Sequence, residues 1–191
     1  MAEVKKTQKA QKKEFFEVGA PITATKIHLY AASREELEGR HVKLDLTRNL
    51  RGKNLELDLI VHLRGQELIA EPVCLELIGS YVRKMMRKGA DYVEDSFEAE
   101  CKNVNVLVKP FLITRNKVSR AIRKELRNNA KKYLEGYFKN RSSSEIFSEI
   151  TTNKIQKELS LKLKKTYPLA LCEIRVFRIL GEKKAREAEK K

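Results

Sequence analysis

Three stretches in the first half of the chain alternate apolar and polar residues: Val42-Lys43-Leu44-Asp45-Leu46, Leu55-Glu56-Leu57-Asp58-Leu59-Ile60-Val61-His62-Leu63, and Leu68 through Ile78. Successive side chains of a strand point to opposite faces, so a period of two predicts strands that bury one face and wet the other, as in antiparallel sheets. Turn residues separate them: Asn49-Leu50-Arg51-Gly52-Lys53-Asn54 and Arg64-Gly65-Gln66. Pro72 interrupts the third stretch and predicts a bulge or an edge position. Before them, Phe15-Phe16-Glu17-Val18 and Ile22 to Tyr30 read as extended segments split by Gly19-Ala20-Pro21. Ser33 is the expected cap of a short turn through Leu37 that ends at Gly39. A further strand pair, Ser96 to Cys101 and Val104 to Lys109, follows. So many short strands in succession predict an antiparallel, barrel-like sheet.

The second half changes period. From Asn116 to Phe138 the residues Val118, Ile122, Leu126, Tyr133 and Tyr137 share one side of a helix, and Arg120, Arg123, Lys124, Arg127 and Lys131 share the other. Leu134 and Phe138 break this separation, which predicts wider burial at the far end, near Gly136. Ser142-Ser143-Ser144-Glu145 offers a capping box for a helix carrying Ile146, Phe147 and Ile150. Ile155, Leu159 and Leu163 mark another, and Leu171 to Leu180 alternates as a returning strand. Between the strand groups, Tyr81 to Gly89 reads as a short helix in which Met85 and Met86 fill core space. The expected class is therefore α+β: a basic tail over 1–13, a mainly β, barrel-like part over 14–110, a helical part with a final strand over 111–180, and a charged tail over 181–191.

The charge is the main functional signal. The 191 residues carry a net +15, and 41% are hydrophobic, enough for a core that buries roughly 70% of the unfolded chain's surface. Between Lys109 and Arg141 eleven Lys or Arg stand against Glu125 and Glu135. Arg83, Lys84, Arg87 and Lys88, the loop Arg48/Arg51/Lys53, the pair Lys164-Lys165 and the tails add to that excess. A charge excess of one sign favours a polyanion as partner. Arginine forks grip phosphate bidentately and lysines act as point charges, so binding to nucleic acid would weaken steeply with salt. The aromatic content is 7% with no Trp, and the aromatic RNP1 pattern is absent, so backbone and shape recognition of structured RNA fits better than stacking on single strands.

Enzyme signatures are missing: there is no G-x-G-x-x-G, Walker loop, G-x-S-x-G or H-E-x-x-H. Asp91, Glu94, Asp95, Glu98 and Glu100 have the composition of a Mg²⁺ site, which would suit a metal-dependent RNA-processing enzyme. Alternating positions on a solvated strand, or salt bridges to the neighbouring basic residues, account for them more simply. Cys74, Cys101 and Cys172, odd in number and widely spaced, read as small buried hydrophobes in a reducing compartment, and His28, His41 and His62 stand alone. No cofactor is expected. With no ~20-residue apolar run and no apolar segment near the start, an intracellular chain without membrane contact is expected.

Several segments together resemble the small-subunit ribosomal protein family shared by archaea and eukaryotes, of the S-one-e (S-three-Ae) type. They are Phe15 to Pro21, Glu36-Leu37-Glu38-Gly39-Arg40 before Leu44-Asp45-Leu46-Thr47, Tyr81-Val82-Arg83, Lys109-Pro110-Phe111 with Thr114-Arg115, Ala121-Ile122-Arg123-Lys124, and Lys164 to Leu169 running into Glu173-Ile174-Arg175. Their order and spacing carry the resemblance. The family usually has a Trp where this chain has Phe15-Phe16, Gly-Asp where it has Arg48-Asn49, and arginines where it has Ala170 and Leu171, so contacts at the last two do not carry over. Its arginine run is diluted here to Arg83-Lys84-Met85-Met86-Arg87-Lys88.

The resemblance implies a structural, non-enzymatic constituent of the cytoplasmic small subunit. It would sit on the platform near the 3′ end of the small-subunit rRNA and the mRNA exit, touching neighbouring ribosomal proteins and mRNA. The expected RNA contacts are Lys12, Lys13, Arg83, Lys84, Arg87, Lys88, Arg115, Lys117, Arg120, Arg123, Lys124, Arg127, Lys164 and Lys165. A free-standing RNA chaperone or translation-factor-like module is the alternative that the same charges permit.

Overall fold

In a computed structural model the described residues are 12–182 apart from 24, 49, 51 and 66. Most of the two tails, Asn49 of the expected turn and Arg51 of the expected basic loop lie outside them. The chain divides into two compact units, Met1–Val42 with Ile60–Glu71 and Lys43–Leu59 with Pro72–Lys191.

In the first unit, β1 (Glu14–Ala20) and β2 (Thr25–Ala31) form an antiparallel hairpin in the register Val18 opposite Ile27. The next three strands, β3 (His41–Asp45), β4 (Leu55–Arg64) and β5 (Glu67–Leu77), each run through both units. The expected period of two is present in β4, where Leu55, Leu57, Leu59 and Val61 are all fully buried. In β5 Leu68 and Ala70 alternate inward, and Cys74 and Leu75 are then buried side by side. The break surrounds Pro72, which has no N–H to give a ladder, at the residue where the strand leaves the first unit.

The pairing of β1 with β5 is parallel, Val18 opposite Leu68, so the sheet is mixed rather than purely antiparallel. A parallel pair needs a long crossover, and the chain from β2 to β4 supplies it. Ser33 does not cap the turn Glu35–Leu37; the Glu36 carboxylate instead accepts from Ala32 N–H at 2.9 Å.

The second unit continues with α1 (Gly79–Met85), β6 (Tyr92–Glu94), β7 (Phe97–Glu100), β8 (Val104–Thr114), α2 (Arg120–Phe138), α3 (Ser143–Thr151), α4 (Lys154–Leu163) and β9 (Leu169–Glu182). Thus α1 stops short of the expected Gly89, and Met86, expected as core filler, is exposed. Along its length β8 pairs with β9, whose other edge meets β5 at Val176 to Arg178. On its far side β8 takes β7 opposite Asn105 to Val108 and β6 opposite Phe111 to Ile113. Pro110 occupies the seam between those partners, and a register shift at Lys109/Pro110 absorbs it on the β9 side. Among the described residues no ring of pairings closes, since β2, β3, β6 and β7 each pair with one strand. The class is α+β, as expected, with an open sheet.

The helices pack on this sheet through 3.6-period stripes. Helix α2 begins at Arg120, later than the spacing suggests, because Ser119 caps it by accepting from Ile122 N–H at 3.4 Å. Its buried line is Leu126, Ala130, Leu134 and Phe138, so the far end is more deeply buried, as expected. The capping box of α3 forms, with Ser142 and Glu145 each accepting from the other's backbone N–H. Phe177 of β9 is the hub of this core: Phe147 meets it edge-on at 4.9 Å and Phe138 at 5.7 Å. Full burial of each such ring contributes roughly 1.5–3 kcal/mol.

Candidate nucleic-acid interface

Two backbone devices aim α2. Thr114 ends β8 with its hydroxyl donating at 2.9 Å to the carbonyl of Asp91 or at 2.8 Å to that of Asn116, and the Asp91 carboxylate accepts from Val118 N–H at 3.0 Å. The turn from β8 into α2 is therefore pinned to the residue before β6. This sets the first turns of α2 beside that short strand and opens a groove of about 420 Å³ lined by Tyr92, Val93, Arg120, Arg123, Lys124, Arg127 and Asn128. Four cations and no carboxylate line it. None of the four is in an ion pair among the described residues, and the first turn of α2 holds no acidic residue. The unpaired N–H groups of a helix start favour anions, so the local field adds to the side-chain charge. Arg123 Nε is buried without a hydrogen-bond partner.

A second cavity, of about 550 Å³, contains Arg127 but is lined also by Glu76, Glu94 and Asp95 with Lys109 and Arg175. Arg175 pairs with Glu94 at 3.1 Å, so its sign is mixed. The acidic cluster read as a possible Mg²⁺ site is thus dispersed: Asp91 holds a backbone N–H and Glu94 an arginine.

The remaining candidate residues lie on several elements. Arg83 and Lys84 are exposed in the last turn of α1, and Arg87 and Lys88 are exposed in the turn after it. Arg115 and Lys117 are exposed before α2, and Lys164 and Lys165 are exposed after α4. Lys12 and Lys13 are exposed in the first unit, with Lys13 Nζ 6.0 Å from the Tyr30 ring centroid. Lys53, expected in a basic surface loop, is instead buried, its Nζ 2.5 Å from Glu173 and 2.8 Å from Asn153. Burial pushes the Cys172 thiol well up, as suits an unreactive core cysteine. Tyr92 and Asn128 are the groove residues that charge counting missed. The alternation Tyr92-Val93-Glu94, with Val93 inward, is the signal for Tyr92.

Beyond the groove, α2 ends in a clasp. The Tyr133 hydroxyl donates to Glu158 and the Tyr137 hydroxyl to Glu149, while Arg141 and Lys154 also pair with Glu149. Burial, with the Glu158 carboxylate, pushes Tyr133 up to about 12. Burial tends to raise the Glu149 carboxyl, but hydrogen bonds from Arg141, Lys154 and Tyr137 outweigh it and hold the pKa below its ordinary 4.5.

The Ribosomal S3Ae family model matches residues 2–183. The small ribosomal subunit protein eS1 of Methanothermobacter thermautotrophicus is 31% identical over 103 residues, 53% of each chain. That of Nanoarchaeum equitans is 31% identical over 104 residues, 54% of this chain and 52% of the relative. The chain spans about half the length of the curated relatives it matches.

Proposed function

This chain belongs to the ribosomal S3Ae family, and we propose that it is a structural constituent of the small ribosomal subunit that binds rRNA by neutralising and fitting its backbone rather than by chemistry. The observation that carries this is the α2 groove, in which Arg120, Arg123, Lys124 and Arg127 converge and whose lining holds no carboxylate. The exposed basic residues of α1, of the turn before α2 and after α4, and Lys12 and Lys13 of the first unit, are further RNA contacts in this reading. The names of the archaeal relatives support the subunit assignment. In this reading the protein works in the cytoplasm on the subunit's platform, near the rRNA 3′ end and the mRNA exit, beside neighbouring ribosomal proteins.

Sucrose-gradient sedimentation of a lysate tests it. The protein should travel stoichiometrically with small subunits at moderate salt, and recovery in the free fraction alone would refute the assignment. Weak, sub-stoichiometric association would mark an RNA chaperone instead. The triple change Arg123→Gln, Lys124→Gln and Arg127→Gln should lower the slope of log affinity against log salt by about 3 on an RNA duplex. An unchanged slope would remove the groove from the interface.

A further inference from the structure

We infer that the α2 groove takes one unpaired nucleotide of the bound RNA, its base stacked on Tyr92 and its flanking phosphates on Arg120, Arg123, Lys124 and Arg127, a reading that rests on the RNA-binding function proposed above. The phosphate-binding charges alone would suit any duplex. Tyr92 does not: it is a large aromatic side chain, 55% exposed, on a three-residue strand at the sheet edge. Its ring leans on buried Phe111, centroids 6.4 Å apart and planes 36° apart. This is the diagonal neighbour across β6 and β8, whose direct pairs are Tyr92 with Ile113 and Glu94 with Phe111.

The ring is thus backed by the core while more than half of the residue stays open to solvent. Paired bases are stacked inside an A-form helix and present no face to such a ring, whereas a bulged or looped-out base does. Base-on-aromatic stacking tolerates any sequence, because every base has a π-face. The groove volume of about 420 Å³ falls in the range of roughly 300–1,000 Å³ typical of small-ligand sites. Asn128, with donors and an acceptor on one amide, supplies hydrogen bonds for a base edge. In the neighbouring cavity Glu76, Glu94 and Asp95 offset Lys109, Arg127 and Arg175, so this groove is the more cationic of the two and the better seat for the strand.

The test uses the purified full chain and two RNA probes, a blunt duplex of about 16 base pairs and the same duplex with a single bulged 2-aminopurine. Wild type should bind the bulged probe roughly tenfold more tightly, the effect of one stacked base, and quench the 2-aminopurine emission. Tyr92→Phe should keep that ratio and the quenching; Tyr92→Leu should bring the ratio to about one and leave the emission bright. Equal binding of both probes by wild type, or a ratio unmoved by Tyr92→Leu, overturns the inference while RNA binding stands. Binding of neither probe at low salt overturns both.

Discussion

Lys53 is only 6% exposed, and Glu173 answers it across 2.5 Å with Asn153 as third partner. Taking both ions out of water costs several kcal/mol each, which their attraction repays only while both are present. Lys53→Met should therefore cost about 3–5 kcal/mol in urea unfolding, and the double change Lys53→Met with Glu173→Met should restore most of it. A single variant as stable as wild type would show that the pair carries no such load. This lysine also shows where sequence reading stops. In a turn between Gly52 and Asn54 it reads as surface, because its partner lies 120 positions away. A local window contains no sign of that contact.

At the scale of elements, the apolar positions that repeat every two or every 3.6 residues were the legible ones, since one buried face imposes that period. Leu55 to Val61, the Ser142 capping box and the stripe Ile155, Leu159 and Leu163 follow from local pattern alone, and all are observed. Helix α2 was harder because an i, i+4 line drifts by about 40° at each step. Arg120 and Phe138 lie at nearly the same azimuth, yet the first is exposed and the second fully buried. What the helix rests against changes along its length, and composition does not encode that.

The clasp at its end has a pH signature. The Glu149 pKa is lowered in the fold, so its stabilisation is complete above the unfolded value near 4.5 and fades as pH falls through the lower folded value. Glu149→Gln should melt several degrees below wild type at neutral pH, with the gap closing on acidification below about 4.5. A gap independent of pH in that range would exclude the carboxylate charge as its source.

For the whole molecule, the net +15 acts through position: the α2 groove is cationic, while the cavity beside it is mixed in sign. Contacts to about 6–10 phosphates would lower affinity for an RNA duplex by roughly 10³–10⁵ between about 50 and 200 mM salt. Anisotropy titrations check this, and a nearly flat profile would mean that non-ionic contacts dominate. The cationic face was legible because charges concentrate between Lys109 and Arg141. The groove was not, because it exists only once Asp91 pins the start of α2 beside β6.

In the proposed role the protein spends an interval as a free chain between synthesis and assembly, and the seam at Pro110 bears on that interval. Because β8 is flanked there by β6 and β7, of three and four residues, rather than by one long strand, the second unit shows no extended rim of unpaired N–H and C=O groups on that side. A foreign strand finds no continuous template to add to. The interruption that makes room for a proline thus also shortens the edges that this side of the second unit offers to a foreign strand.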